Sequence, residues 1–330
     1  MSDMSHLLIP FASCSAKGSR DAVAALELPH LRELLSLLTL DHSDTGDEYT
    51  LSPPHERALA RALGLAGADG CIPWAAWQVQ RSGGEAGHIA WAFITPCHWQ
   101  VHSDHITMSD PQALQLHEAD SRAFMAAMQP YFSEDGITLH YEQPGRWLAH
   151  SEVFRGLPCA SLDRVTGRNI DAWMPEAAQA APLRRLQNEM QMLLYMHAVN
   201  DERGERGLAP VNSFWVSGAG ALDSRAAPDA QAASDATHLR SSKTDGIEAI
   251  ARLREPALHE DWASWAQAWQ ALDANECKAL LDTLKRTGCA TLTLCGERNA
   301  QTFNAAPRSF VRRIAGLFGS HQPSVVLHQL

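Results

Sequence analysis

Lysine is scarce. Of 27 basic residues only Lys17, Lys243, Lys278 and Lys285 are lysine, leaving 27 − 4 = 23 arginines. Base composition explains such a bias; a demand for planar, bidentate anion recognition is the sharper alternative. Positive charge is also outnumbered, with 38 acidic residues and a net charge of −11. That balance excludes nucleic acid as the main partner, because phosphate-backbone binding relies on clustered positive charge. No apolar run approaches the roughly 20 residues of a membrane helix, so no membrane partner is expected. The seven cysteines form no Cys-x-x-Cys pair, which points to free thiols in a reducing compartment. The opening MSDMSHLLIPFAS lacks a basic n-region. The expectation is a soluble, cytoplasmic protein.

What is present is globular: 330 residues, 45% apolar and 20% charged, enough for one large or two medium domains. His6 to Ala12 reads as a buried first strand, followed by the loop Ser13-Cys14-Ser15 and a strongly apolar helix over 31–40. A strand feeding a loop and a helix places ligand sites at the strand's carboxyl end in α/β domains. Ser13, Cys14 and Ser15 are therefore nucleophile candidates by position, with a plain polar turn as the alternative. Residues 41–48 read as a polar loop. SPPHERALARALGL (52–65) reads as a helix capped by Ser52, with Pro53, Pro54 and Glu56 in its first turn. His55 and Arg57 project from that turn as pocket candidates.

From Cys71 to Met108 the pattern is β-like: IPWAAWQV, HIAWAFITP, then HWQVHSDHITM. The tryptophans suit a half-buried sheet surface. His98, His102 and Asp104 share a strand face and are metal candidates, although a zinc site needs three or four converging ligands and Ser103-Asp104 suits a hairpin turn. A capped helix from Asp110 and the alternating strand GITLHYE (136–142) follow. PGRWLAH then reads as a Gly/Pro-rich passage. This β–α–β order marks a smaller α+β unit over 85–180.

The stretch 182–222 concentrates geometry-fixing residues. Leu183, Leu186, Met190, Leu193, Leu194 and His197 form an apolar helical stripe. Arg184, Asn188, Gln191 and Tyr195 form another, and PVNSFWVSGAG runs a short strand into a glycine turn. Exposed N–H groups in such turns cradle anions, so Arg184, Arg185, Asn188, Asn212, Ser217, Gly218 and Gly220 are the anion-binding candidates. Residues 223–245, rich in Ala, Ser and Asp, read as a flexible loop or linker. Residues 247–254 read as helical. Trp262, Trp265 and Trp269 stand at i, i+3, i+7 of a helix that serves either as core or as a protein contact. Residues 275–286 give another amphipathic helix. ATLTLC (290–295) is a strand ending at Glu297, which thus shares the strand-end position of Ser13 and joins Ser13 and His55 as a catalytic candidate. A helix over 309–318 carries Arg312 and Arg313, with Arg308 just before it, and SVVLHQL reads as an edge strand.

HIAWAFITPCHWQV, ITMSDPQAL, GITLHYEQPGRWLAH, DRVTGRNI and PVNSFWVSGAG together resemble the middle of the archaeal-type, cofactor-independent phosphoglycerate mutases of the alkaline-phosphatase-like superfamily. SPPHERALARALGL, RRLQNEMQMLLY and LTLCGE resemble a bacterial group of phosphoglycerate-mutase-like and RpfE-type regulatory proteins. The resemblance implies an α/β fold, an alkaline-phosphatase-like core sheet with helices on both faces. The core would comprise 1–84 with 181–330, and 85–180 would be the inserted α+β unit. In the resembled family the first strand ends in a metal-binding Asp-Gly. Here the corresponding end is Pro10-Phe11-Ala12, and the late Asp-His metal pair has no counterpart after Phe310. Two-metal phosphoryl transfer needs a dense ligand cage. The expectation is a catalytically degenerate, regulatory or scaffold protein with no cofactor, binding a phosphorylated small molecule and meeting a protein partner through helices in 247–318. An enzyme on a phosphorylated metabolite with a rearranged site is the alternative.

Overall fold

The computed structural model describes residues 5–65, 67–222, 242–244, 246–305 and 322–330. The chain opens with β1 (His6–Ile9), α1 (Lys17–Ala25), α2 (Pro29–Leu37), β2 (Leu38–Asp44) and α3 (Pro54–Ala62). α4 (Trp74–Arg81) leads to β3 (Trp91–Cys97) and the hairpin of β4 (Trp99–Val101) and β5 (Ile106–Met108). Next come α5 (Glu118–Glu134), the hairpin of β6 (Thr138–Gln143) and β7 (Arg146–His150), and α6 (Leu162–Val165). α7 (Ala181–Tyr195), α8 (Ala198–Glu205) and β8 (Ser213–Gly220) complete the middle of the chain. The remainder supplies β9 (Ser242–Thr244), β10 (Ile247–Ala249), α9 (Arg254–Leu258) and α10 (Trp262–Leu272). α11 (Lys278–Thr287), β11 (Thr291–Cys295), β12 (Ala300–Ala305) and α12 (Pro323–His328) end it.

These elements form two compact units, one of residues 1–48, 53–62 and 231–330, the other of 49–52 and 63–230. The second unit is wider than the expected 85–180 insert on both sides, and it takes α7 and β8 out of the expected core. The reason lies in pairing: β8 is hydrogen-bonded along β3, so the 182–222 stretch closes the sheet of the second unit.

The first unit is built on a mixed six-stranded sheet in the order β2-β12-β11-β1-β10-β9. β1 lies parallel to both β10 and β11, whereas β12, β2 and β9 run antiparallel to their neighbours. Leu7, Ile9, Leu292, Leu294 and Phe303 point to one face, as period-two alternation requires. There they meet Leu31, Leu34 and Leu35 of α2, Trp265 and Trp269 of α10, and Leu280 and Leu281 of α11. α3 packs on β1, β11 and β12. Asp273, nearly fully buried, caps α2 from a distant π-turn: its carboxylate accepts the Leu31 N–H at 2.7 Å and the His30 N–H at 3.2 Å.

The second unit carries an antiparallel sheet in the order β6-β7-β3-β8. β3 is buried along its whole length because both its faces are covered: α4 packs against it, and Ala92 and Ile94 enter the core with α5 and α7. Phe124, Met128 and Phe132 of α5 and Leu183, Leu186, Met190 and Leu194 of α7 pack with Trp147 and Phe214 in one core. The apolar stripe expected on α7 is thus its buried face. α4 packs against β3 and β8.

Several local expectations are corrected. Residues 38–44 form β2, an edge strand whose polar, exposed side chains hide its period. IPWAAWQV is mostly the helix α4, buried on so many sides that Trp74, Trp77 and Val79 give no amphipathic stripe. PGRWLAH is largely β7, with Pro144-Gly145 as the turn between Gln143 and its partner Arg146. The 247–254 segment begins as the strand β10 beside β1, not as a helix. SVVLHQL forms α12, started by Pro323 at its first turn. Ser52 does not cap α3: its hydroxyl accepts the Gly70 N–H at 2.9 Å, and the Pro53 carbonyl takes the first helical N–H groups. The expected helix over 309–318, with Arg308, Arg312 and Arg313, lies outside the described residues, as does most of the expected 223–245 linker.

Candidate functional site

β1 and β11 run side by side in parallel, so their carboxyl ends open on the same edge of the sheet. Beyond Ile9 the pairing continues once more, the Ala12 N–H donating to the Cys295 carbonyl at 2.8 Å. Phe11 sits in the left-handed region at φ 54°, a costly conformation for a side chain with a Cβ. Two buried indoles hold it there. Trp265 donates to the Phe11 carbonyl at 3.0 Å and Trp269 to the Ala12 carbonyl at 3.2 Å. Trp262, the third member of that stripe, packs over Gly18, where a Cβ would lie 2.2 Å from the ring. Trp265 and Trp269 are therefore core and strand anchors rather than a partner surface.

With the strand end fixed, the loop from Ser13 to Ser15 and the turn from Glu297 to Asn299 face each other across a cleft of about 280 Å³. Arg20 of α1 and the segment 328–330 complete its wall. The volume falls just below the roughly 300–1,000 Å³ of typical ligand pockets, so only a small ligand would fit. Ser13 is only 6% exposed, and its hydroxyl makes no hydrogen bond to any described residue. The Ser15 N–H donates to Glu297 Oε2 at 2.9 Å, and the Ser15 hydroxyl donates to the same oxygen. Ser19, fully buried, accepts the Cys14 N–H at 3.1 Å and braces the loop from beneath.

The charges around the cleft are unevenly engaged. Arg298 reaches Glu48 at 3.3 Å, and its carbonyl accepts from Arg57 at 3.1 Å. Arg57 in turn pairs with Asp44 at 3.0 Å, and Arg61 adds a second contact to that carboxylate at 3.2 Å. Arg20 is exposed and forms no ion pair with another described residue. Burial drives the thiol of neighbouring Cys295 far above its ordinary pKa, so it stays a neutral thiol. The set offers hydroxyl and backbone donors, a cation, and one carboxylate within reach of a serine hydroxyl. Such a set binds an oxyanion and can also support a proton transfer from Ser15 to Glu297.

The structure thus brings Ser13 and Glu297 to one cleft, where Glu297 is bonded to Ser15. His55 lies elsewhere in the same unit, buried and packed on the Phe11 ring at 5.3 Å, so it supports the strand end from behind. The metal candidates do not converge. His98 bonds the Pro210 carbonyl at 2.9 Å, His102 the Thr107 hydroxyl at 3.0 Å, and Asp104 its neighbour His105 at 2.7 Å. Among the described residues no group of three or more His, Cys, Asp or Glu side chains is placed to hold a metal ion.

The anion candidates of 182–222 are spread over the second unit and are engaged structurally. Arg184 donates to the Pro175 carbonyl at 2.6 Å. Arg185 pairs with Asp135 and reaches Glu189 at 3.4 Å. Asn188 is exposed on α7. Asn212 makes a two-way bond with the Trp99 backbone, at 2.7 and 2.9 Å. Ser217, Gly218 and Gly220 lie within β8 rather than in a loop, with Ser217 paired to Phe93 and Gly220 to Trp91. Gly218 has φ +60°, where the pairing with β3 shifts register, and its missing Cβ leaves room for Phe93 and Trp74. Sequence reading passed over Arg20, His328 and Asn299; for Arg20 the available signal was its place in the first turn of the helix that follows the serine loop.

No family model matches the chain. A stretch of 119 residues, 35% of the chain, is 28% identical to a probable 2,3-bisphosphoglycerate-independent phosphoglycerate mutase from Geobacter sulfurreducens. The match covers 29% of that relative's length. Among solved structures, a cofactor-independent phosphoglycerate mutase from Thermoplasma acidophilum aligns over 99% of both chains at 13% identity and a TM-score of 0.37. A protein from Pyrococcus horikoshii aligns over 93% of this chain and 88% of its own, at 10% identity and a TM-score of 0.45.

Proposed function

We propose that this chain is a phosphoglycerate-mutase-like protein of alkaline-phosphatase-like architecture that binds a phosphorylated small molecule in the strand-end cleft. Its role is regulatory or scaffolding, in the manner of the RpfE-type group, rather than two-metal phosphoryl transfer. The observation that carries the reading is the cleft itself: the Ser13 hydroxyl, with no hydrogen-bond partner among the described residues, and Arg20 line one small cavity at the ends of parallel strands. The partial sequence likeness to a phosphoglycerate mutase supplies the ligand class. Where the resembled family would place a metal-binding acid, β1 ends in Pro10-Phe11-Ala12, residues committed to the two indoles and the core.

The contact between the Ser15 hydroxyl and Glu297 favours a second reading, in which Ser15 is a nucleophile and Glu297 its base in a rearranged phosphatase or phosphomutase site. One pair of measurements separates the two. Phosphoglycerates and other phosphate esters should raise the melting temperature of the full chain, and interconversion of 2- and 3-phosphoglycerate should be absent with or without manganese. Turnover that disappears in Ser15→Ala would replace the first reading by the second. No thermal shift with any phosphate ester would remove both.

A further inference from the structure

Ser15 presents its backbone N–H and its hydroxyl to a single point, and that point holds one oxygen of the Glu297 carboxylate. Two donors converging on one carboxylate oxygen are the contacts that a phosphate or carboxylate ligand would seek. Beside them Ser13, a largely buried residue, lines the same cleft, and its hydroxyl has no partner among the described residues. An unengaged hydroxyl on a cleft wall is a donor that an entering oxyanion can use. Arg20 supplies a cation at the cleft wall, with no ion pair to another described residue.

We propose that Ser13 and Ser15 form an oxyanion cradle for a small anionic metabolite, and that Glu297 is its resident occupant, a carboxylate that an incoming anion must displace. The proposal rests on the phosphate-binding reading of this cleft and adds the atoms and the regulation. Glu297 is well suited to that part. It follows Gly296, whose N–H donates to the Asn299 carbonyl at 2.9 Å, so a backbone turn holds the residue while its side chain bonds Ser15 at the cleft. It reaches Ser15 across 282 residues of sequence and leaves the Ser13 hydroxyl unserved. An anion with two or more oxygens takes the Ser15 donors with one and the Ser13 hydroxyl with another. Arg20 on the cleft wall offers a counter-charge to the incoming anion, while Glu297 carries its own charge away towards solvent.

Competition between an internal carboxylate and an external anion has a measurable sign. Binding of inorganic phosphate is measured calorimetrically on the full chain, on Glu297→Ala and Glu297→Gln, and on Ser13→Ala alone and combined with Glu297→Ala. Removing the occupant should tighten phosphate binding by about tenfold or more in Glu297→Ala, the range set by displacing charge-assisted hydrogen bonds. Glu297→Gln should fall between it and the parent, because the amide oxygen still accepts from Ser15 without the charge. Ser13→Ala should weaken binding in either background. If Glu297 merely braces the loop, Glu297→Ala will melt lower and bind no better than the parent; that result overturns the gate and leaves the phosphate-binding reading standing. Phosphate binding that appears only in Glu297→Ala supports both. If neither the parent nor any variant binds phosphate or a phosphate ester, both are overturned. Tightening in Glu297→Ala that Ser13→Ala does not reduce overturns the cradle while keeping Glu297 as a general electrostatic barrier.

Discussion

The strand end beneath the cleft depends on two indoles, and Trp269→Phe tests that dependence. Trp269 is fully buried and donates to the Ala12 carbonyl at 3.2 Å. Phenylalanine keeps most of the apolar contact and deletes the donor, leaving a buried carbonyl unsatisfied at a cost of about 1–3 kcal/mol. The smaller ring opens a void worth about 1 kcal/mol more. A loss of about 2–4 kcal/mol should lower the melting temperature by roughly 5–15 °C. Trp265→Phe, which frees the Phe11 carbonyl held at 3.0 Å, should lose a similar amount. The double variant should lose less than the sum, because both indoles restrain one strand end whose Phe11 is in the left-handed region. Amide exchange over 12–15 should rise with each variant. Unchanged melting and unchanged exchange in Trp269→Phe would refute the idea that the tryptophan stripe is there to hold the site in place.

Other consequences follow from single residues. His6, hydrogen-bonded to Thr293 at 2.8 Å, has its pKa lowered to about 4 by burial. It is neutral in the folded protein but takes a proton near pH 6.5 when unfolded, so its stabilisation is complete above 6.5. That stabilisation declines by up to about 3 kcal/mol as pH falls towards 4. His6→Gln should flatten that part of a stability–pH curve, and an unchanged slope would contradict the assignment. Gly218→Ala places a Cβ 2.9 Å from the Phe93 ring at φ +60°. Left-handed strain and overpacking together should cost about 2–5 kcal/mol in thermal unfolding. Arg184→Ala and Arg185→Ala, which remove contacts to the Pro175 carbonyl and Asp135, should leave phosphate-ester affinity unchanged in a binding titration. A marked loss would return the anion site to α7.

Legibility in the sequence followed local chemistry closely and long-range pairing poorly. β1 and β11 were readable because buried parallel strands are short, apolar and bounded by polar turns. Their shared strand-end geometry placed Ser13 and Glu297 on comparable ground. The contact of Ser15 with Glu297 was not readable, since it is made across 282 residues and no local pattern encodes it. The polar residues of 182–222 misled for a physical reason. Arg203, fully buried, donates to the Leu114 carbonyl at 2.6 Å, and Asn200 bonds both Leu194 and Val211. Guanidinium and amide groups chosen for directional bonds look alike whether they hold a ligand or a loop. Edge position hid β2, and burial on many sides hid α4, because each removes the periodic contrast on which pattern reading depends.

Calorimetric titration of the full chain and of Arg20→Ala with 3-phosphoglycerate decides whether the strand-end cleft binds a phosphorylated small molecule. One saturable site is expected in the parent protein, weakened about tenfold or more when the guanidinium is removed. No saturable binding to the parent, or equal affinity in the two proteins, would contradict it.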